Sequence, residues 1–204
     1  AGIIAPGASV RALPAIYPLA HAAMRHYPHL LEQLADAGAG ETGYRTVGAL
    51  FIATDEEEAS TLHDVIRLME ERRATGLGNI GDLTIVSGAE AKELFPALAE
   101  IPAAIHIADA ARLDGRLLRA ALEKASTDIG VRYFSGNATL DRSGETVSVA
   151  IDGERYRVNT VVLAAGAWSH ALGAACQIDI PVYPQRGQIV HLTMPDVETL
   201  YWPI

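Results

Sequence analysis

The chain has 204 residues, 50% of them apolar and 20% charged, which is enough to bury a core as one or two domains and too apolar for a disordered polypeptide. Its net charge of −9 comes from 25 acidic and 16 basic residues; the basic ones stand singly or in pairs such as Arg72-Arg73, with no aromatic stripe between them, which speaks against a nucleic-acid partner. The lone cysteine, Cys176, excludes an internal disulfide and fits a reducing, cytoplasmic compartment, and the longest apolar run, Val161 to Trp168, is too short for a membrane span.

The opening segment, Ala1-Gly2-Ile3-Ile4-Ala5-Pro6-Gly7, is small and apolar with no basic flank, so it is not a signal peptide. It begins without Met, and the chain closes on Leu200-Tyr201-Trp202-Pro203-Ile204 with no polar tail; both ends read as cuts through structure. Residues Pro14 to Ala37 carry apolar side chains at helical spacing, with a kink expected at Pro28 and a stop at Gly38. A buried strand is predicted over Val47 to Ala53. Thr54 and Glu57 are then spaced as a capping box for a helix to about Arg73. Ser87 and Glu90 form a second such box, opening a short helix that Pro96 closes.

Ala104 to Ala108 reads as a strand, and Asp114 as the cap of a helix that Gly130 stops. Val131 to Phe134 and Ala138 to Leu140 are predicted extended. Asp152-Gly153 joins the strands Thr146 to Ile151 and Glu154 to Val158 in a hairpin. Val161 to Ala165 reads as a buried strand ending at Gly166, and Pro181 to Tyr183 and Gln188 to Thr193 as two more. The pattern is that of a mixed α/β chain with both crossover and hairpin connections.

Two glycine motifs have dinucleotide-binding spacing, Gly38/Gly40/Gly43 and Gly76/Gly78/Gly81. Each follows a helical segment rather than a strand, so both are read as helix stops and turns. His26 and His29 stand three apart on one helix with no third ligand spaced to join them, and are read as solvated or half-buried side chains. No nucleophile-elbow motif supports a hydrolase.

The most informative segment is Asn159-Thr160-Val161-Val162-Leu163-Ala164-Ala165-Gly166-Ala167-Trp168-Ser169. An apolar run ending in small residues lets a ligand approach the backbone, and ligands of doubly wound sheets lie at strand carboxyl ends. With the features around it, the chain resembles the glycine oxidase and D-amino-acid oxidase family of flavoenzymes. Tyr44 to Ala53 is similar to the first strand of that family's substrate domain. Asp114-Gly115-Arg116-Leu117-Leu118 followed by Gly130-Val131 resembles the return into its FAD domain. Pro181-Val182-Tyr183-Pro184-Gln185-Arg186-Gly187-Gln188 resembles the crossing back.

The resemblance implies a mixed α+β architecture, with part of an FAD-binding Rossmann-like domain (1–43 and 109–177) and part of an antiparallel substrate domain (44–108 and 178–204). FAD would lie against Ala1, Gly2 and Ile3, against Ala164, Ala165, Gly166 and Trp168, and against Arg186 and Gly187, with its adenine end near Asn137 and Ala138. The implied activity is oxidation of a small amine or amino acid (glycine, sarcosine or a D-amino acid) by hydride transfer to FAD. The alternatives are a 2-hydroxy-acid dehydrogenase on the same fold and a non-catalytic binding module. The phosphate-binding glycines and the ribose-binding acid of the family would precede Ala1. The substrate tyrosine and arginine would follow Ile204, and Tyr201 falls short of the tyrosine's place. The isolated fragment is therefore expected to bind FAD weakly and to be inactive.

Overall fold

In the computed structural model, which describes residues 2–8, 15–74, 81–143, 146–190 and 192–204, the architecture is mixed α/β with antiparallel sheets, as expected. The chain forms two compact units, Ala1–Val131 with Asp196–Ile204, and Arg132–Pro195.

The larger unit begins with β1 (Ile3–Ile4), then α1 (Tyr17–Asp36) and β2 (Arg45–Thr46). It continues through β3 (Ala49–Ala53), α2 (Glu56–Ala74), β4 (Leu83–Ser87) and α3 (Gly88–Leu94). It then runs on through β5 (Ala103–Ile107), β6 (Ala111–Arg112) and α4 (Gly115–Asp128). Helix α1 contains Pro28 and ends as the sequence requires. Gly38, at φ +61°, lets its own amide reach Ala35 and that of Ala39 reach Leu34, the paired bonds of a Schellman stop. All three glycines of the first glycine motif have positive φ, which suits turns; of the second, only Gly81 lies within the described residues.

The strand predicted over Val47 to Ala53 forms from Ala49 to Ala53, two residues short at its start. Val47 and Gly48 both donate to the Ala110 carbonyl, at 3.1 and 2.9 Å, and Gly48 sits at φ +72°. That double contact breaks the ladder, so β2 joins a sheet in the order β1-β6-β2 and β3 one in the order β3-β5-β4. At the free edge of β3, the Leu50 amide donates to the Ile204 carbonyl and the Ile204 amide to Gly48.

The predicted cap of α2 is displaced by one residue. Asp55 accepts from the Glu58 amide at 2.8 Å, and Glu58 reaches back to the amide and hydroxyl of Thr54 at 2.7 and 2.8 Å. Asp55 directly precedes the first helical residue, Glu56, so its carboxylate caps the Glu58 amide, where a box at Thr54 would have used that of Glu57. The Ser87 to Glu90 box forms as predicted, and Asp114 accepts from the Arg116 and Leu117 amides.

The core of this unit lies between α2 and the β3-β5-β4 sheet, where Leu62 and Met69 meet Ile105 and Ile107. Leu34 and Ala39, at the α1 stop, pack with Ala121 of α4 in a second cluster.

The smaller unit contains β7 (Ala138–Ser143), β8 (Thr146–Ile151) and β9 (Glu154–Arg157) in an antiparallel meander, followed by α5 (Ser169–Ala175). Asp152 and Gly153 both have positive φ, +49° and +93°, which is the two-residue turn that matches strand twist.

Three predicted strands do not form among the described residues of this unit. Val161 to Ala165 is not a buried strand: Val162 is 83% exposed, and no ladder bond among the described residues involves the segment. Pro181 to Tyr183 and Gln188 to Thr193 also form no strand among the described residues, and His191 lies outside them. Val131 to Phe134 lies outside any ladder among the described residues, and the Val131 amide donates to the Ser126 carbonyl at 2.9 Å. An apolar run becomes a strand only when a neighbour takes its amides and carbonyls, and here no described segment does so.

Candidate functional site

On the larger unit, the candidate surface is built around Ile3. Its neighbours in the ladder fix it: Ile3 pairs with Arg112 of β6, and Arg112 pairs in turn with Arg45 of β2. Cα partners in an antiparallel ladder carry their side chains on one face. Ile3 is 65% exposed there and lines two neighbouring apolar clefts. One, of about 360 Å³, is closed by Ile4, Pro6 and the α1 residues Ala23, Met24 and Tyr27. The other, of about 390 Å³, is closed by Ala49, Leu50 and Phe51 of β3 with Ile107 and Ile204. Both walls are suited to a flat apolar ring and not to a hydrated ion.

Gly2 has a local reason to be glycine. At φ +125°, a Cβ would stand 2.5 Å from the Leu113 carbonyl, and the Leu113 amide donates to Gly2 at 2.8 Å. The residue locks β1 to the chain after β6 and so presents Ile3. Ala1 lies outside the described residues.

The remaining candidates stand on the smaller unit. Ala164 and Gly166 are exposed, and Ala165 is half-buried. Gly166 has φ +54°, and a Cβ built on it would meet no atom within 4 Å, so its open side leaves a ligand free to touch the backbone. Trp168, 73% exposed, follows in a single tight turn whose amide bonds to Ala165. Arg186 and Gly187 are exposed, and a Cβ on Gly187 would again meet nothing. Asn137 is engaged differently: its amide donates to the Asp152 carboxylate at 3.0 Å, and its carbonyl accepts from the Asp152 amide at 3.2 Å. A ligand there would compete with the hairpin, whereas Ala138 sits in register with Ile151 at the start of β7.

Helix α5 orders the chain that leads to Arg186. His170 Nδ1 lies 3.0 Å from the Ile180 carbonyl, and its ring packs 5.1 Å from that of Tyr183. Gly173 has no room for a side chain, because Ile178 and Ile180 close over it at 2.8 Å. Arg142 Nη1 donates to the Cys176 carbonyl, and Cys176 is buried, as a small apolar residue would be.

The cleft residues Ala49, Leu50, Ile107 and Ile204 were not singled out by the sequence. The available signal was the small-apolar character of Ile3-Ile4-Ala5, but its partners come together only through pairings between distant segments. Among the described residues no group of three or more His, Cys, Asp or Glu could hold a metal, and no helix is long and apolar enough to cross a membrane.

Comparison with known proteins places these features in context. The family model described as FAD dependent oxidoreductase (DAO) matches residues 1–204. The chain is 38% identical to an uncharacterized oxidoreductase of Bacillus subtilis, YurR, over 100% of the chain and 54% of that protein. It is 28% identical to glycine oxidase of Geobacillus kaustophilus, over 88% of the chain and 47% of the enzyme. Among solved structures, iminodiacetate oxidase from Chelativorans sp. BNC1 superposes with a TM-score of 0.88 at 33% identity, covering 100% of this chain and 54% of that one. The chain thus spans about half the length of the relatives it matches.

Proposed function

Because the chain belongs to the DAO family of FAD-dependent oxidoreductases, we propose that the whole protein oxidises a small amine or amino acid such as glycine, sarcosine, a D-amino acid or iminodiacetate. When bound, FAD supplies the acceptor for a hydride from the carbon beside the amine nitrogen, leaving an imine that water hydrolyses. The observation that carries the reading is the exposed Ile3 between two apolar clefts, in a chain whose full length matches the family.

In this reading, 1–43 and 109–177 belong to the cofactor domain, and 44–108 and 178–204 to the substrate domain. The apolar walls around Ile3 exclude water from the reacting carbon and hold the ring against one face. Ala164, Ala165, Gly166 and Trp168 bring backbone and an indole to the cofactor, with Ala138 toward its adenine end. Arg186, beside Gly187, forms no ion pair with a described carboxylate, so its guanidinium is available to balance negative charge on the reduced ring. The 204 residues alone hold FAD weakly and do not turn over.

The test is an absorbance spectrum of the whole protein reconstituted with FAD, before and after each candidate substrate. Flavin bands that bleach with an amine support the proposal and rank the substrates. Bleaching by a 2-hydroxy acid alone would replace the amine with that acid, and a protein that takes up no FAD would leave a binding module.

A further inference from the structure

The face that carries Ile3 also carries two arginines in register. Arg45 and Arg112 are direct partners across the β2–β6 ladder, so their Cβ atoms stand about 4.5–5.5 Å apart on one side of the sheet. Like charges opposite each other are unfavourable unless something neutralises them. None of the ion pairs among the described residues includes either side chain. Carboxylates are not scarce, since the chain has 25 acidic residues for 16 basic ones.

Both arginines are half-buried, and each guanidinium is steadied by one backbone carbonyl. Arg45 Nη1 donates to Tyr44 at 2.9 Å, and Arg112 Nη2 donates to Leu200. A guanidinium has five N–H donors, so most of each fork is left over, in a setting where reduced solvent screening strengthens charge interactions. The Leu200 contact belongs to the segment that ends at Ile204, which lines the second cleft with Ile3. Ile3, Arg112 and Arg45 thus stand in one row of the sheet, with no ion pair to either arginine among the described residues.

We propose that Arg45 and Arg112 form an oxyanion subsite that takes the carboxylate or phosphate of a small ligand. Planar two-oxygen anions match the guanidinium fork, and binding one removes the repulsion between the two arginines. The subsite stands on the larger unit alone and does not depend on flavin chemistry.

The experiment follows the side-chain Nε–Hε signals of Arg45 and Arg112 by nuclear magnetic resonance in the full 204-residue chain, each assigned by substitution. Iminodiacetate and inorganic phosphate are titrated separately at constant ionic strength, with chloride as control. The expected result is saturable movement of both signals with at least one oxyanion, weakened roughly tenfold or more in Arg45→Gln. Response to iminodiacetate only assigns a carboxylate ligand, and response to phosphate only a phosphorylated one. If Arg45→Gln does not fold, Arg45→Lys keeps the charge without the fork and must also weaken binding. Signals that stay still at millimolar oxyanion, that move equally with chloride, or that saturate alike in the variants would overturn the subsite. Because no turnover is read, that outcome leaves the oxidase reading untouched.

Discussion

A single methyl group at Gly166 separates a ligand-facing glycine from one required only by its turn. Gly166 and Gly153 both have positive φ, +54° and +93°, and a Cβ on either would meet no heavy atom within 4 Å. Steric clash therefore contributes nothing to either substitution in the unliganded protein. What remains is the left-handed penalty of an L-residue, roughly 1–2 kcal/mol, offset by about 0.4–1 kcal/mol of lost freedom in the unfolded chain. Gly166→Ala and Gly153→Ala should thus lose similar stability, about 1 kcal/mol each, in urea unfolding of the whole protein. They should differ in FAD affinity. At Gly166 the methyl enters space that the cofactor would use, and we expect at least roughly tenfold weaker binding, about 1.4 kcal/mol, while Gly153→Ala binds as the parent does. Flavin fluorescence titration measures both. Equal FAD affinity in the two variants would refute the placement of the cofactor at the 164–168 segment.

Ile105 is fully buried in the central strand of its sheet, so Ile105→Ala should cost about 2–5 kcal/mol, seen as a lower urea midpoint at unchanged slope. Leu19, 74% exposed on α1, should tolerate alanine within about 0.5 kcal/mol by the same measurement. Burial, and secondarily the neighbouring Arg25, hold the imidazole of His21 below its ordinary 6.5; its Nδ1 has no hydrogen-bond partner, and Tyr17, stacked under Arg72, is the other titratable ring beside it. The unfolded chain then takes up the proton first, so stability is whole above 6.5 and declines as the pH falls through that value. Melting temperatures compared between about pH 7.5 and about pH 5.5 should drop more in the parent than in His21→Leu. Ser87→Ala removes the cap of α3 and should cost about 1 kcal/mol, while Ser87→Asp retains it; thermal unfolding distinguishes them.

Local chemistry was legible in the sequence. The Gly38 stop, the Ser87 box, the Asp114 cap and the Asp152-Gly153 turn each depend on a few adjacent residues, and each forms as read. The α2 cap moved by one residue because the helix starts at Glu56, which makes Asp55 and not Thr54 the residue that precedes it. The failures involve segments whose fate depends on a distant partner. Nothing local in Val47 to Ala53 announces that the Ala110 carbonyl will take the amides of Val47 and Gly48 and delay the strand to Ala49. The alternation of half-buried and exposed residues from Val161 to Ala165 is that of an extended segment, but burial on both faces needs neighbours that the described residues do not supply. The site shows the same division. Ile3 and the Gly166 region could be read from small-residue character and resemblance, whereas the partnership of Arg45 with Arg112 exists only through strand register.

The stretch after Arg186, which joins no ladder among the described residues, also bears on how the polypeptide behaves in solution. Ile189, Val190 and Leu192 are 73%, 80% and 82% exposed, so side chains of both parities face water next to backbone groups that no ladder occupies. A β-prone, uncharged segment of that kind is a template for intermolecular cross-β stacking, independent of how stable the two folded units are. Its colloidal behaviour should therefore follow concentration more than temperature, and a charge placed at Val190 should act as a gatekeeper against self-association.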